Sequence, residues 1–286
     1  MPRLLAVGHV TWDRTQGREV LGGSASYAAL AAAKLGWEAA VLTSAGPDFD
    51  PARDLPGVRV FLAPGRATTR FANRYERDGT RNQVITARAD EIDLTVLDEG
   101  WRHPDVLFLC PVAGELPARA AAGFHAEVVG AGAQGWLRTV DAEGKVYPCD
   151  WKDPGADLGG VHVVFVSVHD LPQAAVRARA LLEQVPIVAL TRGWEGLSLI
   201  TRDAVQEIPS LPREEADPTG AGDVFAAAFL VRYHECGDLA EAAAFGACAA
   251  SAAVEGIGTT SLADRTEIAR RLVLRQRLIE EGEWDE

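Results

Sequence analysis

One stretch of the chain concentrates groups able to do chemistry: Asp217-Pro-Thr-Gly-Ala-Gly-Asp223, followed at once by the apolar run Val224 to Leu230. Gly220, Ala221 and Gly222 are small and stand where a helix would begin. The first backbone N–H groups of a helix have no intrahelical acceptor. With the helix dipole they make a pocket for an anion, and small side chains let that anion reach the backbone. Asp223 falls in the first turn beside the pocket. A carboxylate there can take a proton from an attacking hydroxyl. Acidic residues are common at helix starts, so Gly-x-Gly-Asp alone would be an ordinary glycine-rich loop. The whole string, continued by an apolar helix, is what sets it apart.

That string closely resembles the C-terminal signature of the ribokinase (PfkB) family, D-x-T-G-A-G-D. The resemblance implies an ATP-dependent kinase that transfers the γ-phosphoryl group to a hydroxyl of a small sugar or polyol. It makes Asp223 the base. It gives the N–H groups of Gly220, Ala221 and Gly222 to the transferring phosphoryl, over whose oxygens charge spreads in the transition state. Thr219 falls on the nucleotide side. In many members the region matching Asp217 also helps to hold a monovalent cation, which extends the implication to K+. Mg2+ is implied too, because phosphoryl transfer from ATP needs a cation on the phosphates. Lysines are scarce here, only Lys34, Lys145 and Lys152, which sharpens that need.

The N-terminal half resembles the same family. Gly22-Gly23-Ser24-Ala25-Ser26-Tyr27 matches its paired-glycine segment, where backbone approaches a polyhydroxy ligand and opens a helix. Asp13 matches a position that often binds substrate hydroxyls. A carboxylate suits that task because it only accepts hydrogen bonds, which hydroxyls donate. Tyr27 stands where many members have Asn, which implies a different substrate edge. Alone, Gly22 and Gly23 would be a turn and Asp13 a surface acid; their order along the chain adds weight.

Thr191-Arg192-Gly193-Trp194-Glu195-Gly196 resembles the family's T-x-G-x-x-G turn at the nucleotide site, with Arg192 able to pair with a phosphate. A plain β-turn is an equal alternative. Ser167-Val168-His169-Asp170 departs from the family's N-x-x-E. Asp170 can still orient a metal-bound water there, and His169 reads as structural. Gln134-Gly135-Trp136-Leu137-Arg138 and Val254-Glu255-Gly256-Ile257-Gly258 resemble one branch, which includes plant inositol kinases. By that likeness Arg138 reaches the substrate; a solvated surface arginine is its alternative.

The elements that would position these residues follow from apolar patterning. Arg3 to Gly8 reads as a buried strand, Ser24 to Leu35 as an alanine-rich helix stopped by Gly36, and Glu38 to Thr43 as the next strand. Strand, helix, strand is the mark of a parallel sheet. Four further runs of strand length follow at Val106 to Cys110, Glu127 to Gly130, Val161 to Val166 and Ile187 to Thr191. A hairpin is expected over Leu197 to Ile208, then helices over Gly220 to His234, Asp238 to Val254 and from Ala263 onward. Residues 59 to 94 have strand character around an Asp78-Gly79 turn signal. The expected fold class is α/β, ribokinase-like: one domain over residues 1–286, a mostly parallel central sheet with helices on both faces, and a small β flap. The flap would come from parts of about residues 10–20 and 60–90, and ligands would lie at the carboxyl ends of the strands.

Bulk composition limits the alternatives. The formal net charge is -13 with a pI near 5.0, which disfavours nucleic-acid and anionic-membrane partners. No signal peptide or long apolar span is visible, so the expected location is cytoplasmic. Cys110, Cys149, Cys236 and Cys248 are scattered without metal spacing and read as buried apolar residues in a reducing compartment. The acceptor would be a small-molecule sugar or polyol. Homodimers joined flap to flap occur in the family and stand as the alternative to a monomer. Two rival readings remain. A nucleoside kinase on the same fold would need a base-stacking surface such as Phe71 or Tyr75. A catalytically inactive nucleotide- or sugar-binding sensor would fit the altered Ser167–Asp170 segment. Gly8 opens no G-x-G-x-x-G, which counts against a dinucleotide-binding dehydrogenase.

Overall fold

The computed structural model describes residues 1–15, 17–75, 81–117 and 119–281. In chain order the strands are β1 (Arg3–Val7), β2 (Thr11–Thr15), β3 (Arg18–Gly22), β4 (Glu38–Ala45), β5 (Arg59–Pro64), β6 (Thr69–Tyr75), β7 (Arg81–Ala87), β8 (Val106–Leu109), β9 (Val128–Gly132), β10 (Arg138–Val140), β11 (Val146–Pro148), β12 (Val163–Ser167), β13 (Ile187–Thr191), β14 (Leu197–Ile200) and β15 (Val205–Ile208). The helices are α1 (Ser24–Lys34), α2 (Pro51–Asp54), α3 (Pro154–Asp157), α4 (Ala174–Ala180), α5 (Ala221–Cys236), α6 (Leu239–Ala253) and α7 (Arg265–Glu281).

Nine strands form the main sheet in the order β15-β14-β13-β12-β9-β8-β1-β4-β5. Neighbours are parallel from β5 to β13, and β14 and β15 run antiparallel at the edge. The central strands are apolar at nearly every position because both faces of a parallel sheet are covered. Alternate residues of β1 serve the two faces: Leu4 and Ala6 join one core, Leu5 and Val7 the other. Helices α1, α5 and α6 cover the first face, where Phe165 meets Phe108, Phe225 and Phe229 edge-on. Helix α4 and 3-10 turns around Trp101 and Ala120 cover the second.

A separate sheet, β3-β2-β6-β7, is the flap. Its first pair matches the expected stretch near residues 10–20. The second pair, β6 and β7, lies within residues 60–90, while β5, over residues 59–64, extends the main sheet, pairing parallel to β4. An apolar strand beside a flap strand carries no sequence mark of which sheet it joins. The Asp78-Gly79 turn lies outside the described residues.

A third sheet was not foreseen. Strands β10 and β11 form a hairpin closed around Asp141 and Gly144. The backbone N–H of Ile85 in β7 donates to the Gly144 carbonyl at 2.8 Å, and Val84 bridges Lys145. The hairpin therefore leans on the flap.

Among the described residues no helix is long and apolar enough to cross a membrane. All four cysteines are free. Cys110 and Cys248 are buried as expected, whereas Cys149 is half-buried and Cys236 is exposed, because α5 ends there and runs out into solvent.

Candidate active site

The geometry starts at two glycines. Gly220 caps α5 at φ +80, a left-handed conformation that disfavours side chains. A Cβ there would also collide with the ring of Tyr27. Gly23 caps α1 at φ +88, with the His9 carbonyl in the place of any Cβ. The two helices pack together, so their N-termini open side by side at the carboxyl end of the sheet.

Asp223 lies in the first turn of α5 and is partly accessible, with Gly222 exposed beside it. The surrounding protein nonetheless withdraws its carboxyl from water, and this burial pushes its pKa up to about 6. A hydrogen bond from Ser24 and the nearby Arg138 guanidinium oppose the shift; the charges of Asp170 and Asp13 add to it. Five side chains from α1, β2, β10, α5 and the turn after β12 thus act on one another. Asp13 is buried on the flap and accepts a hydrogen bond from the Thr11 hydroxyl at 2.8 Å. A side chain at Gly22 would strike the Asp13 carboxylate, so a glycine there leaves the carboxylate room. Arg138 and Asp170 pair at 3.1 Å with both side chains mostly shielded from water.

Ser24 was missed in the sequence. A serine at a helix start usually caps its own helix, and only the packing of α1 against α5 turns it toward Asp223.

Other expected residues lie elsewhere. Tyr27 is fully buried, its ring beneath Gly220, so it supports the anion loop from within the core. Phe71 is also buried, packed with Val112, Ala113, Ile85 and Val146, which takes it out of contention as an open stacking surface. Thr191 ends β13 and its carbonyl accepts from Val168. Gly193 and Gly196, at φ +60 and +96, turn the chain into β14. Arg192 points to the sheet edge, where it pairs with Glu207 and bonds Ser198. Trp194, between them, is 82% exposed. Asp217 accepts from the N–H of Thr219 at 3.0 Å and of Gly258 at 3.3 Å, tying the signature to the loop after α6. His169 is exposed.

Asp170 offers a hard oxygen of the kind Mg2+ prefers, although it is paired with Arg138; among the described residues Asp13, Asp170 and Asp223 do not come close enough together to share one ion. At the opposite end of the strands, Asp105, Glu127 and His234 bring ligand atoms within 4.8 Å of one another. The 2.9 Å contact of His234 with Glu127 accounts for that grouping as a hydrogen-bonded pair.

The chain has counterparts among known proteins. The model of the pfkB family carbohydrate kinases matches residues 156–266. A nucleoside kinase of Methanothermobacter thermautotrophicus is 26% identical over 94% of this chain and 94% of its own length. Among solved structures, a pyrophosphate-dependent kinase of the ribokinase family, complexed with a pyrophosphate analogue and myo-inositol, superposes with a TM-score of 0.77. It is 21% identical over 93% of this chain and 99% of that one. Arabidopsis thaliana ribokinase, complexed with ribose and ATP, gives a TM-score of 0.68 at 21% identity, over 95% and 98% of the two chains. The ribokinase-like fold and the similarity to kinases mark the chain as a phosphotransferase with a hydroxyl acceptor. The pfkB match covers residues 156–266, and the likeness to kinase relatives and to solved ribokinase-family structures extends over nearly the whole chain.

Proposed function

We propose that the chain moves the γ-phosphoryl group of ATP to a hydroxyl of a small polyol or sugar, with inositols the first candidates. The observation that carries this reading is Asp223: a carboxylate of raised pKa in the first turn of α5, beside the exposed Gly222 and within the influence of a second carboxylate, Asp13, on the flap. The acceptor lies between flap and sheet, its hydroxyls donating to Asp13. Asp223 takes the proton of the attacking hydroxyl as that oxygen bonds to the γ-phosphorus. The bond from the γ-phosphorus to its bridging oxygen breaks, and ADP leaves with that oxygen and its electron pair. The N–H groups of the 220–222 turn hold the phosphoryl oxygens. Asp170 fits a role in holding Mg2+ through water; the metal, when bound, neutralises the donor phosphates. Asp217 fits the neighbourhood of a K+ site. Gly22 and Gly23 keep the backbone close to the acceptor, while Tyr27 shapes the 220 turn.

Trp194 supports a nucleotide as donor. An exposed indole at the T-x-G-x-x-G turn gives a nucleobase a stacking face, for which pyrophosphate has no use. A nucleoside as acceptor is the second reading, supported by the nucleoside kinase that matches nearly the full chain.

The test is ADP release from Mg-ATP against inositols, sugars, sugar acids and nucleosides, with pyrophosphate as an alternative donor and Asp223→Asn beside it. The expected result is stimulation by one polyol or sugar class, reduced about 10²–10⁴-fold in the variant. Stimulation by nucleosides alone would replace the acceptor, and a fully active variant would overturn the base.

A further inference from the structure

The unforeseen hairpin connects two places that must act together. At its base, Leu137 is fully buried and the Gly135 N–H is anchored on the Pro111 carbonyl at 2.9 Å. Arg138 follows as the first residue of β10 and reaches Asp170. At its tip, Asp141 accepts from the N–H groups of Glu143 and Lys145, which fixes the turn. That turn touches the flap through Gly144 and Ile85, and Val146 of β11 packs with Ile85 and Phe71. Gly144, at φ +83, has the Ile85 carbonyl where a Cβ would stand. The hairpin is thus fixed to the sheet at one end and to the flap at the other, with Arg138 just past the fixed end.

Charge says why Arg138 matters there. Among the groups that act on Asp223, Arg138 is the cation, and Asp170 and Asp13 are both anions. Arg192 is committed to Glu207. A transferring phosphoryl group adds negative charge beside three carboxylates and needs a guanidinium more than the ground state does. In this structure Arg138 is held by Asp170.

We propose that flap closure over the acceptor, transmitted through the β10–β11 hairpin, moves Arg138 from Asp170 onto the transferring phosphoryl group. Arg138 is then a catalytic residue delivered by the flap, and Asp170 is released to the metal side. Without acceptor the guanidinium stays on Asp170, so ATP is not spent on water. This inference rests on the phosphoryl-transfer reading above.

The test is a double-mutant cycle on kcat, using ATP and whichever of myo-inositol, ribose or adenosine stimulates the wild type. Ile85→Pro deletes the N–H that Ile85 gives to the Gly144 carbonyl of the hairpin. Gly144→Ala pushes the tip off the same strand and covers the case in which Ile85→Pro does not fold. Arg138→Ala is expected to lower kcat about 10²–10³-fold with the ATP KM changed less than about threefold, and Arg138→Lys to recover part of it. Each tip variant should lower kcat about tenfold alone and have no further effect in the Arg138→Ala background. Additive losses would overturn the link. If no acceptor stimulates the wild type, the kinase reading fails separately, and the link is read by amide exchange at Ile85 without ligand. Faster exchange in Arg138→Ala supports it; unchanged exchange overturns it.

Discussion

The Asp223 carboxyl is where sequence and geometry meet most closely. With its pKa near 6, it holds its own proton below that pH and cannot take one from a hydroxyl. Turnover is expected to fall about tenfold per pH unit below about 6, read from the pH dependence of kcat/KM. Ser24→Ala removes a hydrogen bond that favours the ionised form, so the acid limb should move to higher pH; an unmoved limb would remove Ser24 from the site. The same group sets a stability effect of opposite sense. Its folded pKa lies above the unfolded value, so the folded protein binds this proton more tightly. The cost of ionising it is absent below about pH 4 and complete above about pH 6, at most about 3 kcal/mol. Asp223→Asn should therefore raise Tm by a few degrees at pH 8 and leave it unchanged at pH 4, as calorimetry would show. The signature was legible because its small residues and its acid are adjacent in the chain. Ser24 was not, because its partner lies on another helix.

Elements explain why the anion loop tolerates so little change. Gly220 needs a left-handed backbone, and beneath it lies a fully buried tyrosine ring with no room to retreat. Gly220→Ala is expected to cost about 2–4 kcal/mol and to weaken ATP binding at least about tenfold, measured by thermal unfolding and by titration calorimetry. Wild-type affinity in that variant would mean that the turn does not touch the donor. Most strands and helices were readable to within a few residues, since buried parallel strands are unbroken apolar runs and the long helices carry clear stops. The β10–β11 hairpin escaped because its strands are only three residues long and carry no apolar run; they are held by the flap rather than by a core of their own.

At the scale of the molecule, α7 is bound by charge to the loop that holds the Asp217 end of the signature. Arg271 of α7 is 4% exposed and bonds Glu255, Glu267 and the Ser251 hydroxyl. Glu255 follows Val254, whose carbonyl accepts the N–H groups of Ala216 and Asp217. Arg271→Ala removes a buried guanidinium with its bonds to Glu255, Glu267 and Ser251 and should cost about 1–3 kcal/mol, seen as a lower midpoint in denaturant. A change within 0.5 kcal/mol would show that Arg213, which also pairs with Glu255, suffices. The overall architecture was legible from alternating strand and helix patterns. The assignment of β5 to the main sheet was not, because that choice depends on a neighbour rather than on its own residues.

The pairing of β1 has a consequence during synthesis. Its partners are β4 and, far later in the chain, β8, while α1 packs on α5, which emerges near the end. On the ribosome the first face of the sheet therefore stays greasy and uncovered until Phe225 and Phe229 have left the exit tunnel. The nascent chain is then a natural client for holding chaperones, and premature stops before α5 should yield insoluble fragments.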